Sequence, residues 1–411
     1  MHAAPVEDAI ALALAHPEAV GALARATMER SPRGGTFLDA ALSHIPDEAW
    51  GALVADALAA LERDPDNAAA DTVIAYASLQ APSSLHPHLD RIFRLAPNRD
   101  TYYAEYPWRG SGASHLAFLR ARLADGGDAQ DRRRAWRAML DTRHPDVLEA
   151  AVAGADLLDL GTPHRSAGDA LADFVRFVGF EVEGGALRRL CPPVLFHVLL
   201  PDSHRDPAAP PWLDWTHPTW RLEAAIGLPT MRLGGQAPGT CVSCGDRLDR
   251  LLDLDPVPSG LGVTGLRRLG LATCLSCLGW EQQIAFYVHQ RDGDANGIGD
   301  AHPPVTPEFP AEPLLETEVR LAATPARWSW QDWALTNGRE NLHRLGGEPM
   351  WIQNADYPAC PLCGRTMTHL LQLDSELRTV DGSSWLWGSG GIAYVAWCDS
   401  CKVSATQWQC T

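Results

Sequence analysis

Eight of the ten cysteines fall in four Cys-x-x-Cys turns: Cys241 and Cys244, Cys274 and Cys277, Cys360 and Cys363, Cys398 and Cys401. Such a turn offers two thiolates on one side of a tight loop, and two turns complete the tetrahedral shell of soft ligands that Zn2+ prefers. Cys241, Cys244, Cys274 and Cys277 are expected to form one site, and Cys360, Cys363, Cys398 and Cys401 the other. The intervening 29 and 34 residues are long for a zinc ribbon, yet they leave room for strands that bring the second turn back to the first. Four thiolates leave no position for water, so two structural Zn2+ ions would contribute folding free energy, on the order of 10 kcal/mol apparent, rather than catalysis. A redox dithiol and an iron–sulfur cluster compete with zinc. The first would occur once within a βαβ frame, and the second usually has less regular spacing. Cys191, ahead of Pro192 and Pro193, reads as a small core residue. Cys410 reads as a neighbour of the second site, although it or a histidine in place of one cysteine ligand stays open.

Other patterns are weaker. Gly260, Gly262 and Gly265 spell a dinucleotide fingerprint, but no strand-then-helix frame fits before Cys274. Asp292, Asp294, Asn296, Gly297 and Asp300 fit an EF-hand loop until its last position, where Pro303 replaces the bidentate glutamate. Arg132, Arg133, Arg134 and Arg137 form a basic cluster amid acidic neighbours. Tyr102, Tyr103, Tyr106 and Trp108 are a candidate partner-binding patch, because aromatic side chains anchor interfaces. His217, His343 and His369 read as structural histidines, and no nucleophile–base pair stands out, so catalysis is not expected.

These groups need a scaffold, and 411 residues with 46 % apolar and 21 % charged side chains provide for two or three folded domains. The start of the chain has no basic segment ahead of an apolar core, and no apolar run of about 18 residues occurs, which points to a cytoplasmic protein with reduced thiols. The net charge is −17, split −8 and −9 about residue 160, and Lys402 is the only lysine. Neither half suits a polyanion, so nucleic acid is not the expected partner, and no membrane is.

Up to about Leu160 the periodicity is helical. Trp50, Leu53, Val54, Ala57, Leu58 and Leu61 form one stripe, and Val147, Leu148, Ala151, Val152, Ala155 and Leu158 another. The pair around residues 132 to 158 resembles a HEAT-type helical repeat; an irregular helical bundle is the competing reading. From about Phe180 short apolar runs broken by Gly and Pro read as strands. The stretch from Asp292 to Pro313, rich in turn formers, reads as a linker. The expected domains are a helical-repeat region over 1–165, a zinc-binding α+β module over 166–300, and a second over 301–411.

The two modules share an order of Arg-Leu-Gly-Gly, Cys-x-x-Cys, Leu-Leu-x-Leu-Asp and Cys-x-x-Cys, with the first cysteine turns offset by 119 residues and the second by 124, which argues for tandem duplication. The stretch from His343 to Cys410, with LGGEPMWIQ, CPLCGRTMTHLLQLD and GGIAYVAWCDSC, resembles the YwqG-like family of bacterial domains. The segment from Cys191 to Val288 resembles a degraded copy that keeps Arg232 to Gly235 but has no counterpart of Trp351, Ile352 and Gln353. The resemblance implies an α+β fold dominated by antiparallel sheet and a place among the immunity proteins of bacterial toxin loci; it brings no enzymatic activity. Two functions are therefore expected to compete. One is a protein-interaction or immunity factor whose acidic surface suits a basic partner such as a toxin. The other is an enzyme or small-molecule binder with a pocket near Gly346, Gly347, Trp351 and Gln353.

Overall fold

The computed structural model describes residues 4–30, 38, 41–95, 106–125, 128–161, 166–201, 204, 228–280, 282–298, 305–333 and 340–411. Tyr102, Tyr103, His217, Asp300 and Pro303 lie outside them. Two units result: Met1–Arg188 together with Pro325–Trp330, and Arg189–Thr324 together with Gln331–Thr411. No helix among the described residues is long and apolar enough to cross a membrane.

The first unit is helical, with α1 (Ala4–Ala15), α2 (Val20–Arg30), α3 (Trp50–Arg63), α4 (Ala68–Gln80), α5 (Leu89–Leu95), α6 (Leu116–Asp125), α7 (Ala129–Asp141), α8 (Pro145–Ala153) and α9 (Ala167–Phe177). The stripe on α3 is buried along its whole length, as its 3.6-residue period requires. Asn67 caps α4 by accepting from Ala70 N at 3.0 Å while its amide donates to Met28 O at 2.9 Å, so one side chain both starts a helix and ties it to α2. The expected hairpin is α7 and α8, closed by Trp136, whose indole N–H donates to Ala151 O at 2.8 Å. Pro325–Trp330 completes this unit. The Arg327 guanidinium donates to Ile45 O at 2.6 Å, Ser43 O at 2.8 Å and Gln80 Oε1 at 2.9 Å, and Trp328 is buried. Trp108 is also buried, packed edge-on against Phe93, which removes it from the expected interaction patch.

The second unit is built on one sheet of twelve strands: β3 (Leu195–Leu199), β4 (Thr230–Leu233), β5 (Gln236–Thr240), β6 (Arg247–Leu254), β7 (Leu269–Thr273), β8 (Ala285–His289), β9 (Ala295–Gly297), β10 (Thr317–Ala323), β11 (Arg344–Gly346), β12 (Thr368–Asp374), β15 (Ile392–Cys398) and β16 (Val403–Gln409). The hairpin β13–β14 (Leu377–Arg378, Ser384–Trp385) is a separate two-stranded sheet of this unit, and the hairpin β1–β2 (Phe180–Glu183, Ala186–Arg189) closes the first unit's stretch of chain. The order of the large sheet is β5-β6-β4-β10-β3-β11-β12-β15-β16-β8-β9, with β7 on the other edge of β6, and every pairing is antiparallel. The far ends approach each other, since Gly270 N donates to Gly293 O at 2.9 Å and Arg268 reaches Asp294 at 2.7 Å, giving a nearly closed barrel.

The strands of 166–300 and 301–411 are thus interleaved rather than gathered into two separate modules: β10 lies between β4 and β3, and β16 pairs with β8. The physical reason is edge removal, because either set alone would leave unpaired backbone at its margins. The stretch expected as a linker takes part in this fold through β9 and through Val305 N, which donates to Ser243 O at 2.9 Å.

The two copies match in register. A bulge interrupts the β6–β7 pairing between Arg250 and Leu252, and another interrupts β12–β15 between His369 and Leu371, the same positions 119 residues on. Gly235 N donates to Leu314 O at 2.9 Å and Gly347 N to Val194 O at 2.8 Å. A Cβ on Gly234 would stand 2.1 Å from Leu315 O, and one on Gly346 2.3 Å from Val194 O, with φ of +70° and +74°. Close approach and left-handed backbone both require glycine there.

Candidate metal centres

Each cysteine group is placed by one antiparallel pair. The first turn precedes β6 and the second follows β7, and because Asp249 pairs with Thr273 these ends meet. In the second copy the turns flank β12 and β15, whose ends meet through Thr368 and Trp397. The turns have one design: Cys241 N donates to Asp246 O at 2.8 Å and Gly245 N to Cys241 O at 2.9 Å, while Cys360 N donates to Arg365 O at 2.9 Å and Gly364 N to Cys360 O at 2.8 Å. Gly245 and Gly364 supply the positive φ, +76° and +72°, that closes each loop.

The eight expected cysteines come together in the two expected groups, and within each group all four sulfurs lie within 4.8 Å of one another. Cys241 and Cys277 sulfurs are 3.9 Å apart, Cys244 and Cys274 3.7 Å, and Cys363 and Cys398 3.7 Å. Ligands about 2.3 Å from a tetrahedral ion stand about 3.8 Å from each other, whereas a disulfide needs about 2.05 Å. All ten cysteines are free thiols. A hydrogen bond from Cys274 draws Cys241 down to about 5, and the crowding of thiols and burial push Cys274 and Cys277 upward. In the second group burial raises Cys360 to about 12, while the Arg365 N–H brings Cys363 down to about 7. Crowded thiols that cannot all ionise together are what a divalent cation would relieve.

The sites differ in cover. Beside the first, Ala311 N donates to Ser276 Oγ at 2.9 Å, Phe309 lies against Trp280 at 4.5 Å between ring centroids, and Tyr287 accepts from Cys274 N at 3.0 Å. In the second, Cys363 is exposed and Cys401 half-buried. Cys191 is buried, as expected, and Cys410 is half-buried.

Of the remaining candidates, Gly346 and Gly347 abut β3, and Gln353 donates to Cys410 O at 2.7 Å. Trp351 walls a cleft. Sequence reasoning missed the residues that hold the segment carrying Trp351: Gln372 Oε1 accepts from Met350 N at 2.9 Å, Tyr394 donates to Met350 O at 2.6 Å, Gln407 binds Asp356 O, and Gln409 binds Gln353 N and Asn354 O. Together they strap residues 350–356 across the sheet. The available signal was length, because twelve residues (Glu348–Ala359) separate the second Gly-Gly from its cysteine and only five (Gln236–Thr240) the first.

The glycine fingerprint is a turn-rich loop between β6 and β7, held where Thr264 N donates to Asp399 at 2.8 Å and Lys402 Nζ to Thr264 O at 2.6 Å. In the partial calcium loop Asp294 is paired with Arg268, and residues 295–297 form β9. His343 and His369 are buried, and burial holds both down to about 3.

No family model matches the chain, and no solved structure matches it. It is 26% identical over 187 residues to uncharacterized protein YpfL of Salmonella typhimurium (strain LT2), a match covering 42% of this chain and 39% of that protein. The chain therefore spans well under half the length of the curated relative.

Proposed function

We propose that each four-cysteine group holds a structural Zn2+ and that the protein is a cytoplasmic interaction protein, an immunity or regulatory factor whose partner is a basic protein such as a toxin. The observation that carries the metal reading is the sulfur spacing of 3.7 to 3.9 Å, which fits a tetrahedral ion and exceeds disulfide length. Free thiols throughout support a reducing compartment. The partner reading draws on the net charge of −17, acidic in both halves, and on the resemblance of His343 to Cys410 to the YwqG-like family. Within the helical unit, the α7–α8 hairpin with its buried Trp136 supports a HEAT-type pair as a presenting arm.

Elemental analysis of the purified chain tests the metal, with two zinc per chain expected; a folded, metal-free sample overturns it. Affinity purification from the native host tests the partner. Recovery of a basic protein whose binding falls steeply with salt is expected, and a purely metabolic set of co-purifying enzymes opposes it.

A further inference from the structure

The two cysteine groups differ in what lies over them, and the duplication makes the difference legible. Over the first, residues 305–311 run from one cysteine turn to the other: Val305 N donates to Ser243 O, and Ala311 N to Ser276 Oγ, both at 2.9 Å. Between these anchors Phe309 leans on Trp280, with ring centroids 4.5 Å apart. The turn of Cys274, Leu275, Ser276 and Cys277 is buried throughout.

Both anchors have counterparts in the second copy. Ser243 corresponds to Leu362, 119 residues on, and Ser276 to Ser400, 124 residues on. Among the described residues no backbone N–H donates to Leu362 O, and Ser400 Oγ touches only the sulfurs of Cys398 and Cys401. Leu362 is 57% exposed, and Pro361, Cys363 and Ser400 are exposed as well. A Zn2+ ion with four thiolates carries a net charge of about −2. Lys402 does not offset it, being paired with Asp399 at 2.8 Å, and with the exposed Arg365 counted the corner stays negative.

We infer that the second cysteine group is where a basic partner docks, through an extended segment that crosses from Leu362 to Ser400 as residues 305–311 cross from Ser243 to Ser276. The segment sets an apolar side chain on Leu362 and an arginine or lysine beside the thiolate of Cys363. This rests on the zinc and basic-partner readings above and gives them a place on the molecule. The backbone path is the one the first copy already uses, where the same two acceptors are filled from within the chain. Charge decides the chemistry of the occupant: a guanidinium or ammonium is drawn to a zinc–thiolate centre, and an acidic segment or a phosphate backbone is repelled. A short free segment binds weakly, since it gives up backbone freedom on docking.

The probe is a synthetic peptide of residues 305–311 carrying Glu308→Arg, which puts a cation midway between the anchors. It is titrated into the zinc-loaded full chain with 13C-labelled leucine methyls, those of Leu362 being identified by their loss in Leu362→Met. A saturable shift of the Leu362 methyls at roughly millimolar peptide is expected. The peptide with its native Glu308 binds about fivefold more weakly or worse, and Ser400→Ala, with zinc content unchanged, weakens the arginine peptide about threefold. Absence of a saturable shift, equal affinity for the Glu308 peptide, equal affinity in Ser400→Ala, or an equal shift from a single-stranded DNA oligonucleotide overturns the docking surface. Zinc measured on the same sample keeps the readings apart. Two zinc per chain with no shift defeats this surface alone, and a folded sample without zinc defeats both.

Discussion

Cys244 and Cys363 occupy equivalent corners of the two sites in different surroundings. Cys244 is half-buried beside the ordered segment around Val305, whereas Cys363 is exposed. In the zinc-loaded protein a limiting thiol reagent is therefore expected to modify the second site first, releasing one metal equivalent before the other. Dye-detected zinc release with mass mapping of the modified cysteines checks the order. The buried histidines set the response to acid. His197, His343 and His369 are held near 3 and His204 near 4, chiefly by burial. Between these values and about 6.5 the unfolded chain binds protons that the folded chain refuses, so stability falls as pH drops from 7 towards 4. Asp249, raised to about 6, and Asp356, also raised, both by burial, oppose this with the reverse sign, and two carboxyls are outweighed by four imidazoles. Urea unfolding at pH 7 and pH 5, with zinc content followed in parallel, separates this loss from metal release. At this scale the sequence was highly informative, because cysteine spacing encodes a ligand set directly, whereas Asp356 and Gln407 carry no such signature.

Gly346 belongs to a turn pressed against its neighbouring strand, and Gly245 to one that is open. Both have positive φ, yet only Gly346 would drive a Cβ into another backbone, 2.3 Å from Val194 O. Gly346→Ala is expected to cost about 3 kcal/mol or more and Gly245→Ala about 1 kcal/mol, measured by denaturant unfolding. The strap gives a second prediction. Gln372 both accepts from Met350 N and donates to Leu342 O at 2.9 Å, so Gln372→Leu strands two buried backbone groups. A loss of about 2–4 kcal/mol and faster hydrogen exchange over residues 350–356 are expected. Runs such as IAFYVH and IAYVAW were legible as strands, and they are β8 and β15. Their neighbours were not, since alternation fixes which way side chains point and leaves open whether β16 pairs with β8, over a hundred residues earlier in the chain. The buried Trp108 likewise shows that an aromatic-rich stretch does not reveal which rings face water.

At the scale of the whole molecule, the duplication was visible as a repeated motif order, but its result, one nearly closed sheet in which β10 sits between β4 and β3 and β16 pairs with β8, was not. Repeats report ancestry, and edge pairing decides architecture. The division into units has its own test in Arg327, which donates to the Leu42, Ser43 and Ile45 carbonyls, the Gln80 amide oxygen and the Asp47 carboxylate of the helical unit. Arg327→Ala is expected to destabilise that unit by about 3 kcal/mol, read as an earlier loss of helical circular dichroism in urea. The same segment also sets a timetable. The helical unit is drawn from residues up to Arg188 and then from Pro325–Trp330, so its last buried tryptophan, Trp328, is translated well after the rest. At about 5–20 residues per second, the ribosome leaves the N-terminal helices waiting several seconds to tens of seconds without the side chain that completes them, a window in which the apolar gap it later fills stands open.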